Sequence, residues 1–188
     1  KMKSFIEEGK IGSIKNIRAN RLAFGSIRSH ESVIYDLAAH DISMILSILK
    51  TLPYDLSVQS IHHNLNKGPD AINVRLSFNE GVTALISSDW MCPYKEHKFS
   101  VIGSKGSLIF DDTKDWSNKL YFNPSTINLD NSIKIVKIKK ICVDENEPLK
   151  NELDEFVASI KSRKSPLTDH REAIKVQTVM EMIQKKLG

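Results

Sequence analysis

The sequence predicts an α+β fold, a mostly antiparallel open β-sheet with helices on one face. Three observations carry this reading. The elements run helix, strand, helix, then many consecutive strands, then two closing helices, an order that argues for α+β rather than alternating βαβ units. Ile72, Val74, Leu76 and Phe78 fall at alternate positions and face one way, as do Val82, Ala84, Ile86, Ser88 and Trp90 on the return, with Asn79-Glu80-Gly81 between them. That is the pattern of an antiparallel hairpin with one buried face. Finally, Ile34, Leu37, Ala38, Ile42, Ile45, Leu46 and Leu49 share one side of a helix over residues 33–50.

Each element has its own local cause. Met2, Phe5 and Ile6 share a face of a short opening helix, which Gly9 ends as a C-cap. A chain that opens inside a helix suggests a fragment of something longer. Gly9-Lys10-Ile11-Gly12 is a turn, followed by a strand over 13–22 anchored by Ile14 and Ile17, and by a loop over 24–31. Pro53 stops the helix of 33–50 from continuing. Strands are expected over 56–63, in the hairpin, over 98–102 and 107–110 around Gly103-Ser104-Lys105-Gly106, over 120–122 and over 133–143. Helices over 148–162 and 169–187 close the chain, and Asp169 followed by Glu172 resembles a capping box. Helices can cover one face of such a sheet, so the other meets solvent, another domain or a second copy.

Composition narrows the function classes. The 188 residues are 40% hydrophobic and 27% charged, which suits one globular domain with a sizeable core. No apolar run approaches the roughly 20 residues that cross a bilayer, and Lys1-Met2-Lys3-Ser4 lacks a signal peptide's apolar region. The net charge of +4 permits an anionic ligand without demanding nucleic acid. Cys92 and Cys142 have neither zinc spacing nor a disulfide framework, and read as buried small hydrophobes in a reduced, cytoplasmic protein.

The chemistry points to Asp36 and His40. Four apart on a helix, they share a face one turn apart. An imidazole titrates near neutrality, and a neighbouring carboxylate can orient it and raise its basicity, as a general acid/base requires. Arg18 and Arg21 lie three apart in a strand, hence on opposite faces, and one of them could reach a substrate. Lys95, in a loop running from Trp90 to Lys98, could meet a carboxylate or diphosphate as a point charge, or simply be solvated. His62 and His63 are adjacent on a strand and point apart, so they read as a polar strand end rather than a metal site. Lys134, Lys137, Lys139 and Lys140 alternate with isoleucines and valine without interleaved aromatics, which reads as a lysine-protected edge. Val176, Val179, Met180 and Ile183 read as core.

Several segments, in order, resemble one family. They are Gly9-Lys10-Ile11-Gly12-Ser13-Ile14, Asp36-Leu37-Ala38-Ala39-His40-Asp41, Phe78-Asn79-Glu80-Gly81-Val82-Thr83-Ala84, Ile102-Gly103-Ser104-Lys105-Gly106-Ser107-Leu108 with Phe110-Asp111-Asp112, and Glu152-Leu153-Asp154-Glu155-Phe156 with the closing helix. Together they resemble the C-terminal domain of the glucose-fructose oxidoreductase / inositol dehydrogenase / rhizopine-catabolism (Gfo/Idh/MocA) family, and come nearest in feel to its nucleotide-sugar dehydrogenases. The resemblance implies that residues 1–12 end an interdomain helix and its turn, and that 13–188 form a substrate-binding and oligomerisation domain. It implies an upstream nucleotide-binding domain, toward which 152–156 and the closing helix return. That domain would hold NAD or NADP and carry a Gly-rich turn and a Glu-Lys-Pro motif, neither of which occurs here. His40 would then be the general acid/base and Asp36 its partner, with Lys95, Arg18 and Tyr35 toward a sugar or nucleotide-sugar substrate. The assembly would be a homo-dimer or tetramer through the open sheet face, and the fragment alone would be inactive. Two alternatives stay open: a non-catalytic binding or assembly module of the same fold, and a metal-dependent hydrolase using Asp36, His40, Asp41 and His97.

Overall fold

A computed structural model of the chain describes residues 1–188 except 26–27, 29, 63–67, 128–129, 131 and 167. The first half runs α1 (Met2–Glu7), β1 (Ile14–Phe24), a π-helical turn (Ile34–Ala38), α2 (Ala39–Leu49), β2 (Asp55–Ile61), β3 (Ala71–Ser77) and β4 (Thr83–Asp89). There follow β5 (Met91–Gly103), β6 (Gly106–Asp111), β7 (Leu120–Asn123), the short β8 (Thr126–Ile127), β9 (Ile133–Lys134) and β10 (Lys139–Ile141), then α3 (Pro148–Ser162) and α4 (His170–Leu187).

Among the described residues, eight strands form one sheet in the order β10-β7-β6-β5-β1-β4-β3-β2, while β8 and β9 pair separately. The sheet is antiparallel except where β1 runs parallel to β4. The period-2 alternation of the strands divides their residues between two faces. Ile17, Ala19, Ile72, Val74, Leu76, Ala84, Ile86, Phe99, Val101 and Leu108 are buried, in one core with Ile42, Ile45 and Leu46 of α2 and Val179, Met180 and Ile183 of α4. The face beyond is polar: Arg18, Asn20, Ser57, Gln59, Asn73, Arg75 and Ser87 line an open groove of about 540 Å³. The expected α+β class and the mostly antiparallel sheet are therefore observed, with α2 packed on α4.

Two glycine-bearing turns, distant in sequence, lock the entry to β1. Lys105 N–H donates to Ile11 O (2.8 Å) and Ser104 N–H to Ser13 O (2.9 Å). At Gly103 a Cβ would lie 2.2 Å from the Ile11 carbonyl oxygen, so no larger residue fits this close backbone approach. Phe5 of α1 meets Phe122 of β7, with ring centroids 6.1 Å apart.

Four expectations need correction. The helix over 33–50 does not begin as a regular α-helix; Ala39 N–H reaches back to Ile34 O and makes the first turn π-helical. Residues 90–98 are not a loop. Asp89 Oδ1 accepts from Met91 N–H (2.6 Å), so the chain reverses tightly and enters β5 at once. The strand over 133–143 breaks into β9 and β10. Its middle is captured by Ser125, whose Oγ accepts from Val136 N–H and donates to Val136 O, taking both groups a ladder would use. Cys92 is buried as expected, but Cys142 is exposed, because it lies just past the end of the edge strand β10. His62 is exposed beyond the end of β2; its companion His63 lies outside the described residues.

Candidate active site

A cleft of about 420 Å³ opens at the end of β1, lined by Arg21, Leu22, Ala23, Gly25, Arg28, Asp36, Leu37, Trp90 and His97. Its residues come from four places: β1 and the loop after it, the π-helical turn, the end of β4, and β5. Strand register explains two of them. β1 and β5 run antiparallel with Arg21 opposite His97, so both side chains emerge on the same face of the sheet.

Asp36 sits at the centre of the polar contacts. Trp90 Nε1–H donates to its Oδ2 at 2.8 Å, and Arg28 Nε lies 3.0 Å from its Oδ1. Behind it, Arg21 reaches Asp41 with Nε and Nη2, both at 3.4 Å. Asp41 is only 3% exposed. Burial pushes its carboxyl above the ordinary value, and the charge and hydrogen bonds of Arg21 pull it back down in part. The Arg21–Asp41 pair thus ties the first turn of α2 to β1 beneath the cleft. Burial lowers the His97 imidazole below its ordinary value and the Arg21 charge adds to this, while Asp112, 4.0 Å from Nδ1, opposes it. This arrangement favours the neutral ring, able both to donate and to accept a hydrogen bond.

The residues singled out from sequence fall in different places. Asp36 lines the cleft. His40 is exposed on α2, next to Asp41, and among the described residues no hydrogen bond joins it to Asp36. Tyr35 is 40% exposed on the π-helical turn and is not among the cleft-lining residues. Lys95 is exposed on β5, and its charge acts on His97. Arg18 and Arg21 do face opposite ways, and Arg18 lies in the open-face groove, on the far side of the sheet from this cleft. Among the described residues no three His, Cys, Asp or Glu side chains come together to hold a metal ion, so Asp36, His40, Asp41 and His97 do not form the cluster a metallohydrolase would need. Arg28 and Trp90 join the cleft without having been singled out for it. Arg28 stands in the segment expected to be a loop, and Trp90 ends the alternating run expected to form the hairpin's buried face. Trp90 is indeed core, at 5% exposure, but its polar edge is spent on Asp36.

The model of the GFO/IDH/MocA C-terminal domain family matches residues 1–109. The chain belongs to that family. Solved structures of similar fold include UDP-N-acetylglucosamine 3-dehydrogenase GnnA from Acidithiobacillus ferrooxidans, at a TM-score of 0.81 and 17% identity over 97% of this chain and 57% of that one. The aldose-aldose oxidoreductase from Caulobacter crescentus, complexed with glycerol, aligns at a TM-score of 0.78 and 13% identity over 98% of this chain and 56% of that one. An oxidoreductase domain protein from Kribbella flavida gives a TM-score of 0.78 and 17% identity over 98% and 59%. This GFO/IDH/MocA domain therefore spans less than two thirds of each of these proteins. No curated protein matches it.

Proposed function

We propose that this domain is the substrate-facing half of an NAD(P)-dependent oxidoreductase acting on a hydroxyl of a sugar or nucleotide sugar. The observation that carries the reading is the placement of Asp36 in a cleft with Arg21, Arg28 and His97, one helical turn from an exposed His40, in a member of an oxidoreductase family. Oxidation of a secondary alcohol releases a proton from the hydroxyl, and a base within hydrogen-bond reach must take it. His40 has that role. Asp36, Arg21, Arg28 and His97 offer carboxylate, guanidinium and imidazole groups to the remaining hydroxyls, and Lys95 offers a cation to a carboxylate or diphosphate at the rim.

The residues present do not fit a dinucleotide. A diphosphate cradle needs a glycine-rich turn leading from strand into helix, whereas the turn at Gly103–Gly106 joins β5 to β6, two strands of an antiparallel pair. The cofactor, NAD or NADP, is therefore assigned to a nucleotide-binding domain outside these 188 residues, and this domain alone is expected to be inactive. The apolar stripe of α3, Leu149, Leu153, Phe156, Val157 and Ile160, is the surface the reading gives to that domain. The polar open face of the sheet is the surface it gives to a second copy, and a monomer by light scattering at tens of micromolar would contradict that assignment.

The decisive test is His40→Ala in the full-length enzyme, with UDP-N-acetylglucosamine as the first sugar nucleotide tried. A general base is worth on the order of 10²–10⁴-fold, so kcat should fall by that factor while cofactor affinity stays unchanged. Near-normal turnover by the variant on a substrate the parent oxidises would end the assignment.

A further inference from the structure

We propose that Trp90 is a positioning residue of the cleft, and that through it Asp36 is held for the substrate rather than for His40. Trp90 joins three elements of the site. Its backbone N–H donates to Asp70 O (3.1 Å), fixing it at the end of β4. Its carbonyl accepts from Gly25 N–H (3.0 Å), which ties down the start of the loop carrying Arg28. Its indole N–H donates to Asp36 Oδ2 (2.8 Å) on the π-helical turn. A buried indole needs an acceptor for its N–H, and here the acceptor is a carboxylate that lines the cleft.

The consequence for Asp36 is specific. Each of its oxygens has a partner, Trp90 on Oδ2 and Arg28 on Oδ1, and neither partner is His40. A carboxylate oxygen has more than one lone pair, so each can still accept a substrate hydroxyl from the open side of the cleft. The indole is rigid and 5% exposed, whereas the Arg28 side chain is 58% exposed and shared with Glu31, 3.7 Å from its Nη1. Trp90 is thus the fixed half of the clamp and Arg28 the adaptable half. The π-helical turn belongs to the same device. It carries Asp36, which lines the cleft, and ends before His40, which is exposed on α2.

This inference rests on the oxidoreductase reading for its kinetic arm alone, and a spectroscopic arm decides the clamp independently. In the full-length enzyme, Trp90→Phe keeps an aromatic side chain and removes the donor. Letting a positioned group drift costs on the order of ten- to a hundred-fold, so kcat/KM should fall by about that factor with the melting temperature little changed. Combined with Asp36→Ala, which removes the acceptor, it should cost no more than the worse single variant, since both break one contact. Unchanged kcat/KM, or losses that add in full, would overturn the proposal. The spectroscopic arm uses the two tryptophans, Trp90 and Trp116, whose indole N–H signals are told apart by the one that vanishes in Trp116→Phe. In Asp36→Ala the Trp90 indole signal should move to the position of a solvent-bonded N–H and the Trp116 signal should stay. A Trp90 signal that does not move would overturn the clamp even if Trp90→Phe fails to fold. Absence of any turnover by the parent enzyme would count against the oxidoreductase reading and leave the indole signal to decide the clamp.

Discussion

The two closing helices make an instructive pair. α3 has 15 residues and α4 has 18, and both are amphipathic. α4 buries Val179, Met180 and Ile183 against α2 and the sheet. α3 buries nothing: Val157 is 46% exposed, Leu149 is 68% exposed, and Leu153, Phe156 and Ile160 fall between. No described residue from Tyr121 to Thr178 is buried, so α3 lies within a long stretch that contributes no fully buried residue to the core. An apolar stripe thus states that a helix wants a partner. It does not state whether the same chain supplies it.

The contrast is broken most directly by truncating one apolar residue on each helix. Ile183 is fully buried, and Ile→Ala at such a site removes transfer energy and leaves a cavity, about 2–5 kcal/mol together. Leu153→Ala should change the stability of this chain by no more than about 0.5 kcal/mol, as surface substitutions do. Urea unfolding of the two variants measures both. Equal losses would mean that α3 is packed in solution on something within these residues.

A smaller effect separates the helix starts. Asp169 caps α4, with Oδ1 accepting from Arg171 N–H (2.9 Å) and Glu172 N–H (3.3 Å). The N-cap of α3, Glu147, makes no such bond, and Pro148 follows it. Desolvation would raise the Asp169 carboxyl, but the backbone N–H groups of Glu172 and Arg171 outweigh it and hold the group below its ordinary value. A lowered carboxylate contributes stability above its unfolded value and loses it as pH falls through the folded one. Asp169→Ala should therefore lower the melting temperature at neutral pH by less than Ile183→Ala does, and the gap from the parent should close in acid. Glu147→Ala should show neither effect.

What could be read from the sequence follows the same division between local and distant causes. The hairpin of β3 and β4 was legible because period-2 alternation and a turn lie within 20 residues, and the start of α4 because Asp169 and Glu172 signal a cap locally. The strand expected over 133–143 failed because alternating Ile and Lys look alike whether or not a core waits beneath them. Its fate was decided by Ser125, outside the window. The site divides likewise. Asp36 and His40 stood out by spacing, and the family resemblance named their roles. Trp90, Arg28 and His97 did not stand out together, because their convergence depends on the register of β1 against β5 and on a π-helical turn, neither of which leaves a short-range pattern. Arg18 shows the converse: spacing alone placed it opposite Arg21, but could not say which face holds the cleft.

The smallest effect sharpens the comparison furthest. If α3 is a helix whose partner lies outside this chain, its polar variants should be invisible to the stability of the chain but visible at its surface. Leu153→Ser with Phe156→Ser should leave the urea midpoint where it is. It should also reduce the binding of an apolar dye such as anilinonaphthalene sulfonate, because exposed contiguous apolar area is what the dye detects. Amide exchange supplies the matching control. The α4 amides around Val179 and Ile183 should exchange only through global opening, whereas those of α3, which has no buried residue, should exchange by local fraying. α3 amides as slow as those of α4 would show that the stripe is covered in the isolated chain, and the two helices would then differ in partner rather than in having one.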